Sequence, residues 1–168
     1  MHEAMRRVRD ALAAQGSDAQ IVELPEPAPT AAAAAAQVGC EVGAIANSLV
    51  FSVDGTPVLI LTSGAHRVDT ARVAALTGVG RRRIRRADPA LVLEATGQVV
   101  GGVAPVGHPA PLRTLIDADL EGHQELWVGG GVPHAVFRTT FTELVKLTGG
   151  QVAEVAAPAA HVAGPEGG

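Results

Sequence analysis

Hydrophobic and polar positions change period several times along this chain. Met5, Val8 and Leu12 recur at i, i+3 and i+7 among charged neighbours. Residues 4–15 therefore predict an amphipathic helix, stopped by Gly16. Ile21-Val22-Glu23-Leu24 reads as a short strand, and Pro25, Pro27 and Pro29 then enforce an extended loop. Thr30 is a good N-cap for a second helix, and the alanines from Ala31 to Ala36 suit a helix packed closely on its neighbour. Apolar stretches over residues 47–53 and 57–63 flank Asp54-Gly55, which predicts a tight hairpin.

Asp69 or Thr70 caps a further helix closed by Gly78, and Asp88-Pro89 opens another that ends at Gly97. Residues 125–129 and 135–139 read as strands joined through Gly130, Gly131 and Pro133. Thr140 and Glu143 form a capping-box pair for a helix to Leu147, and Gln151–Val155 predicts a last strand. Hairpins mixed with crossovers favour the α+β class with a mixed sheet over a doubly wound parallel one.

The 168 residues suit a single domain over 1–155, followed by an Ala/Pro/Gly-rich tail from 156 to 168 that is expected to be loose. Hydrophobic residues make up 47%, enough for a core. No apolar run approaches the roughly 18–20 residues of a membrane span. Charge at Glu3, Arg6 and Arg7 argues against a signal peptide, so a cytoplasmic location is expected, with no membrane partner. One cysteine, Cys40, excludes internal disulfides. The net charge of −4 excludes a generally basic nucleic-acid binder, and no DNA partner is expected. Aromatics are only 2%, too few for a base-stacking surface.

Several chemistries fail on residue type. No two histidines stand at metal-ligand spacing, so neither a metal site nor a cofactor is expected. No nucleophile elbow surrounds a serine, and Ser48, Ser52 and Ser63 read as satisfied hydroxyls in or beside strands. Cys40 precedes Glu41, which disfavours a thiolate. Gly102–Gly107 has the outline of a phosphate loop but ends in His108-Pro109 instead of Lys-Ser/Thr.

Two features remain. The first is the cluster Arg81-Arg82-Arg83-Ile84-Arg85-Arg86. As a strand it would send Arg81, Arg83 and Arg85 to one face and Arg82, Ile84 and Arg86 to the other. It suits either a solvated sheet edge or a local phosphate-binding patch. The second is the loop 101–111. Adjacent glycines and Pro105 can present stiffly held backbone amides to a carbonyl oxygen or oxyanion.

In order along the chain, five stretches resemble the YbaK/EbsC family of aminoacyl-tRNA deacylases, relatives of the editing domain of bacterial prolyl-tRNA synthetase. They are Thr30–Phe51 with Asn47-Ser48-Leu49-Val50-Phe51, Arg67-Val68-Asp69, Gly101–His108, Ile116-Asp117, and Gly129–Arg138. The likeness covers about residues 18–155 and implies a curved mixed sheet wrapped by helices. It implies a cofactor-free trans-editing hydrolase that cleaves the ester of mischarged aminoacyl-tRNA, of the Ala- or Cys-tRNA(Pro) type. A prolyl-tRNA synthetase is a candidate partner.

On this resemblance Asn47, Gly101 and Pro105 surround the ester. Thr30, Ser48, Gly102, Gly130 and His134 shape the substrate pocket, and Arg82, Arg83, Arg85 and Arg86 contact tRNA phosphates. The family pattern has a lysine where this chain has Asn47, and Lys146 is the only lysine present. Asparagine is a neutral donor of shorter reach, and Arg67 or Arg138 is a candidate source of the missing charge. The alternatives are a tRNA- or synthetase-binding module that has lost catalysis, and a hydrolase of another small ester.

Overall fold

A computed structural model describes residues 2–157. Five α-helices are present: α1 (Glu3–Ala14), α2 (Ala31–Val38), α3 (Thr70–Thr77), α4 (Pro89–Thr96) and α5 (Phe141–Thr148). Eight strands form one mixed sheet: β1 (Ile21–Glu23), β2 (Ile45–Val53), β3 (Thr56–Ser63), β4 (Ile84–Arg86), β5 (Arg113–Asp117), β6 (Leu126–Gly129), β7 (Ala135–Thr139) and β8 (Gln151–Ala153). The strand order is β1-β7-β6-β2-β3-β5-β8, with β4 beside β2 and off this path. The β2–β6, β3–β5 and β5–β8 pairs are parallel and the other pairs antiparallel.

Local chemistry accounts for most element ends. The side chains of Thr30, Asp69, Asp88 and Thr140 each accept a first-turn amide of α2, α3, α4 and α5. Asp54 and Gly55 both have positive φ, 54° and 87°, as a two-residue hairpin turn requires. The capping box of α5 is only half formed. Glu143 gives its amide to Thr140, but its carboxylate turns to the hydroxyls of Thr139 and Ser17, tying β7 and the end of α1 to α5.

The arginine cluster is not one continuous strand. Arg81–Arg83 form a 3₁₀ turn, and only Ile84–Arg86 pair with β2. Arg81 donates to Thr70 and Arg83 to Asp54, which the turn brings within reach. Of the expected tail, Ala156 pairs with Val68, and residues 158–168 lie outside the described residues.

Side chains alternate between two apolar layers along β2. Ala46 and Val50 face the main core with Leu59, Leu61, Ile116 and Phe137, beneath Val8 and Leu12 of α1 and Leu144 of α5. Phe51 and Val53 face the other way, with Val58, Ile60 and Leu115, against Val73 of α3. Ala34 and Ala35 of α2 cover Ile45 and Val136 in a third cluster, and the small alanines let that helix lie close.

Candidate active site

Strand β2 has β3 along one whole edge, but two strands share its other edge. Strand β6 pairs with Ile45 and Ala46, and β4 pairs with Phe51 to Val53. Residues 47–50 have no strand partner there, apart from the Ala87 amide on the Val50 carbonyl. The Ile45 carbonyl is taken by Gly64, on the β3 side. By alternation the backbone of Ser48 faces the open edge together with that of Val50. A cleft of about 810 Å³ opens at this gap.

Asn47, Ser48, Thr30 and Gly101 all line the cleft, so the structure brings together four predicted residues from three segments. Asn47 lies opposite Thr62 on β3. The Asn47 carboxamide makes no hydrogen bond with any described residue, and the buried hydroxyls of Ser48 and Thr62 are also without partners. Ser48 is thus not the satisfied strand hydroxyl expected from sequence. Thr30 is an exposed N-cap whose oxygen accepts the Ala33 amide, leaving its own proton free to donate.

The 101–106 loop lies on the turn that joins β6 to β7. Gly102 rests on the Val132-Pro133 backbone, where a Cβ would stand 2.6 Å from the Val132 carbonyl carbon. Its amide is not bare, because it donates to the Val99 carbonyl. Gln98, buried under the loop, accepts the Ala104 amide and donates to the Val106 carbonyl. The loop amides left without a described partner are those of Gly101, Val103 and Val106, and the first two of these residues line the cleft. His108 donates through Nε2 to the Ala104 carbonyl at 2.8 Å. Burial pushes this imidazole below the usual histidine range, against the opposing pull of that bond.

Other predicted residues fall outside the cleft lining. Pro105 is buried within the loop and Gly102 beneath it. Gly130 is buried against Ala135 and Ile21. His134 sits between two cleft residues, Pro133 and Ala135, but its side chain meets Glu23 of β1 at 3.4 Å. Arg82 and Arg83 are exposed beyond the cleft, with Arg83 paired to Asp54. Cys40 is partly covered, and burial foremost, then Glu41, pushes its thiol up, away from the nucleophilic thiolate.

Three arginines do line the cleft: Arg67, Arg85 and Arg86. All are exposed, and none is ion-paired with a described residue. Arg86 lies over the Phe51 ring, 5.7 Å from its centroid. No aspartate or glutamate lines the cleft among the described residues. On a chain of net charge −4 this is a locally positive surface. A second, smaller hollow shares Arg85 and Arg86 and reaches Arg83, with Asp54 and Asp88 also in its lining. Arg138, the other candidate for the missing lysine charge, is instead on β7 beside Glu125.

Sequence reasoning missed His66. It lines the cleft with its ring held at Nδ1, 2.8 Å from the buried Asp117 carboxylate. Asp119 approaches Nε2 at 3.3 Å. These three residues also form the one group among those described with the donor set for a cation, their ligand atoms within 4.8 Å of one another. Both imidazole nitrogens already face carboxylates.

Comparison with known proteins places this geometry. The aminoacyl-tRNA editing domain family matches over residues 25–147, and the chain belongs to that family. It is 43% identical to a protein of known structure proposed to be a trans-editing enzyme for prolyl tRNA synthetase. That match covers 94% of this chain and 99% of the other, with a TM-score of 0.87. The hypothetical protein APE2540 is 29% identical, over 90% of this chain and 99% of its own, with a TM-score of 0.82. The uncharacterized protein YwhH of Bacillus subtilis (strain 168) is 26% identical over 146 residues, covering 86% of this chain and 91% of YwhH. The mixed sheet and its helices are those of the trans-editing type of fold. No helix among the described residues is long and apolar enough to cross a membrane.

Proposed function

We propose that this protein is a trans-editing hydrolase acting in the cytoplasm on the ester of mischarged aminoacyl-tRNA, of the Ala- or Cys-tRNA(Pro) type. One observation carries the reading. In a chain of the editing family, the cleft at the open edge of β2 combines uncommitted hydrogen-bond donors with three arginines that, among the described residues, have no ion-pair partner and no carboxylate beside them in the lining. An aminoacyl ester on the end of a polynucleotide chain needs both. Donors orient the carbonyl, and cations hold the phosphates.

In this reading Asn47, with the amides of Gly101 and Val103, faces the ester carbonyl, and Ser48 and Thr30 bound the aminoacyl group. Gly102, Pro105 and Gly130 act through the backbone, by letting the loop and the β6–β7 turn pack together. Arg67 supplies a cleft charge that Asn47 lacks. Arg85 and Arg86 take the phosphates nearest the cleft, and Arg82 and Arg83 those further along. His134 serves the pocket wall from outside, between Pro133 and Ala135. Prolyl-tRNA synthetase is the partner such a hydrolase would follow.

The test is deacylation of Ala-, Cys-, Ser- and Pro-tRNA(Pro) by the whole chain. Turnover of one or more non-cognate esters with Pro-tRNA spared is the expected result. Charged tRNA bound without hydrolysis would instead favour a binding module, to which the neutral Asn47 points. Hydrolysis of small esters that ignores the loss of Arg85 and Arg86 would favour a different substrate.

A further inference from the structure

We infer that the open edge of β2 seats the aminoacyl group as a single antiparallel residue, its α-amine donating to the Ser48 carbonyl and its ester carbonyl accepting from the Ser48 amide. The inference rests on the deacylase reading above. It names the substrate class of that site: esters of α-amino acids with an unblocked amine and a small side chain.

The first support is the set of main-chain groups left on the edge. Three contacts fix which residues of β2 face outward. The Ile45 carbonyl takes the Gly64 amide on the β3 side, whereas the Val50 carbonyl takes the Ala87 amide and the Asp54 amide goes to the Arg83 carbonyl on the other side. The main-chain groups of Ala46, Ser48, Val50 and Ser52 therefore face outward. The ladder with β6 ends at Ala46 opposite Val128, one rung short of pairing Asn47 with Gly129. The ladder with β4 begins at Phe51. The groups left without a described partner are the amide and carbonyl of Ser48 and the amide of Val50, and both residues line the cleft.

The second support is the shape of the gap. Strand β6 closes it at Ala46 and Ala87 closes it at Val50, so a running strand cannot lie along it but the end of a chain can. In an antiparallel pair, one residue exchanges both main-chain bonds with the single residue opposite. An aminoacyl ester is a chain end of that kind, with one amine and one carbonyl on either side of a single α-carbon. Seated on Ser48, its carbonyl stands beside Asn47, where the reading above places the ester. Its amine side then points along β2 towards Val50, so an acyl group on the amine would run into Ala87.

The third support is chemical. The lining has no carboxylate among the described residues, and Thr30 Oγ1 already accepts the Ala33 amide. The amine therefore needs a neutral acceptor, and a main-chain carbonyl is a strong one. Residues directly opposite each other in a sheet share a face. The side chain of an L-amino acid seated on Ser48 therefore lies on the face of Ala46 and Val50, with Val92, Val103 and Val128, all of which line the cleft and belong to the main core. That wall is aliphatic and suits a small side chain.

The experiment is single-turnover deacylation of Ala-tRNA(Pro) or Cys-tRNA(Pro), whichever the chain turns over faster, beside the same charged tRNA acetylated on its α-amine. The proteins are wild type, Ser48→Ala, Ser48→Pro, and a chain with an ester in place of the Ser48 amide. Proline removes the Ser48 N–H, which an outward-facing edge position tolerates. The backbone ester removes the same N–H by a one-atom exchange and serves if the proline variant does not fold. Loss of one donor to a developing oxyanion costs about 100- to 1,000-fold. Ser48→Pro should fall below Ser48→Ala by that factor in kcat, since both lack the hydroxyl and only one keeps the amide. The backbone ester should fall below wild type by the same factor with its Tm little changed, because that amide has no partner in the fold. The acetylated substrate should be cleaved about 100-fold more slowly than the free amine.

An acetylated substrate cleaved within about threefold of the free amine, or a backbone ester at the wild-type rate, would overturn the inference while leaving the deacylase reading standing. A wild type that turns over neither charged tRNA would overturn both.

Discussion

Gly102 lies so close to Val132 that a methyl group in place of its hydrogen would reach within 2.6 Å of the Val132 carbonyl carbon. The neighbouring atoms are backbone, which cannot rotate away. This contact holds the 101–106 loop on the β6–β7 turn and so closes one wall of the cleft. Gly102→Ala should destabilise the domain by about 1–3 kcal/mol through overpacking. Thermal unfolding should register this as roughly 2–4 °C per kcal/mol for a chain of this size. Deacylation should fall with it, because Gly101 and Val103 move.

Gln98 braces the same loop from inside. Its side chain is 2% exposed and serves the Ala104 amide and the Val106 carbonyl. Gln98→Leu keeps the volume but leaves two buried backbone groups unpaired, at about 1–3 kcal/mol each. A marked loss of Tm is expected. An unchanged Tm would mean the loop is held by packing alone.

His108 gives the loop a pH dependence of known sign. Its folded pKa is lowered by burial, against an unfolded value of about 6.5. The unfolded chain therefore binds this proton more readily than the folded one, and stability rises with pH across the interval between the two values. It is fully present above the unfolded pKa and is lost as pH falls from there towards the folded value. Chemical denaturation at pH 7.5 and 5.5 should show a drop at the lower pH, and His108→Gln should remove that part of it.

Much of the fold was legible because local rules decided it. The caps at Thr30, Asp69, Asp88 and Thr140 and the Asp54-Gly55 turn depend only on neighbours along the chain. What was not legible depended on partners far away. The turn at Arg81–Arg83 brings Arg81 to Thr70 and Arg83 to Asp54, partners 11 and 29 residues away. The gap along β2 exists because β6 and β4 stop short of each other. His66 meets Asp117 51 residues later only because β3 and β5 run side by side in parallel. The expectation of bare glycine amides met a similar limit, since the Val99 carbonyl takes the Gly102 amide.

The arginines of the cleft predict a salt dependence. If Arg85 and Arg86 contact phosphates, the logarithm of tRNA affinity should fall linearly with the logarithm of salt concentration. Each arginine replaced by alanine should reduce that slope by about 1. Arg83→Ala should change it less, because Asp54 already neutralises that side chain. A slope that ignores Arg85 and Arg86 would make them edge protection only.

The central claim is that hydrolysis takes place at the open edge of β2. The direct measurement is single-turnover deacylation of Ala-tRNA(Pro) and Cys-tRNA(Pro) by wild type, Asn47→Ala and His134→Ala, each verified as folded. Loss of one well-placed donor to a developing oxyanion costs about 100- to 1,000-fold. The account predicts a loss of that size for Asn47→Ala and a rate within about threefold of wild type for His134→Ala. An Asn47→Ala variant at full rate beside an inactive His134→Ala would place the chemistry at the β1–β7 edge and contradict it.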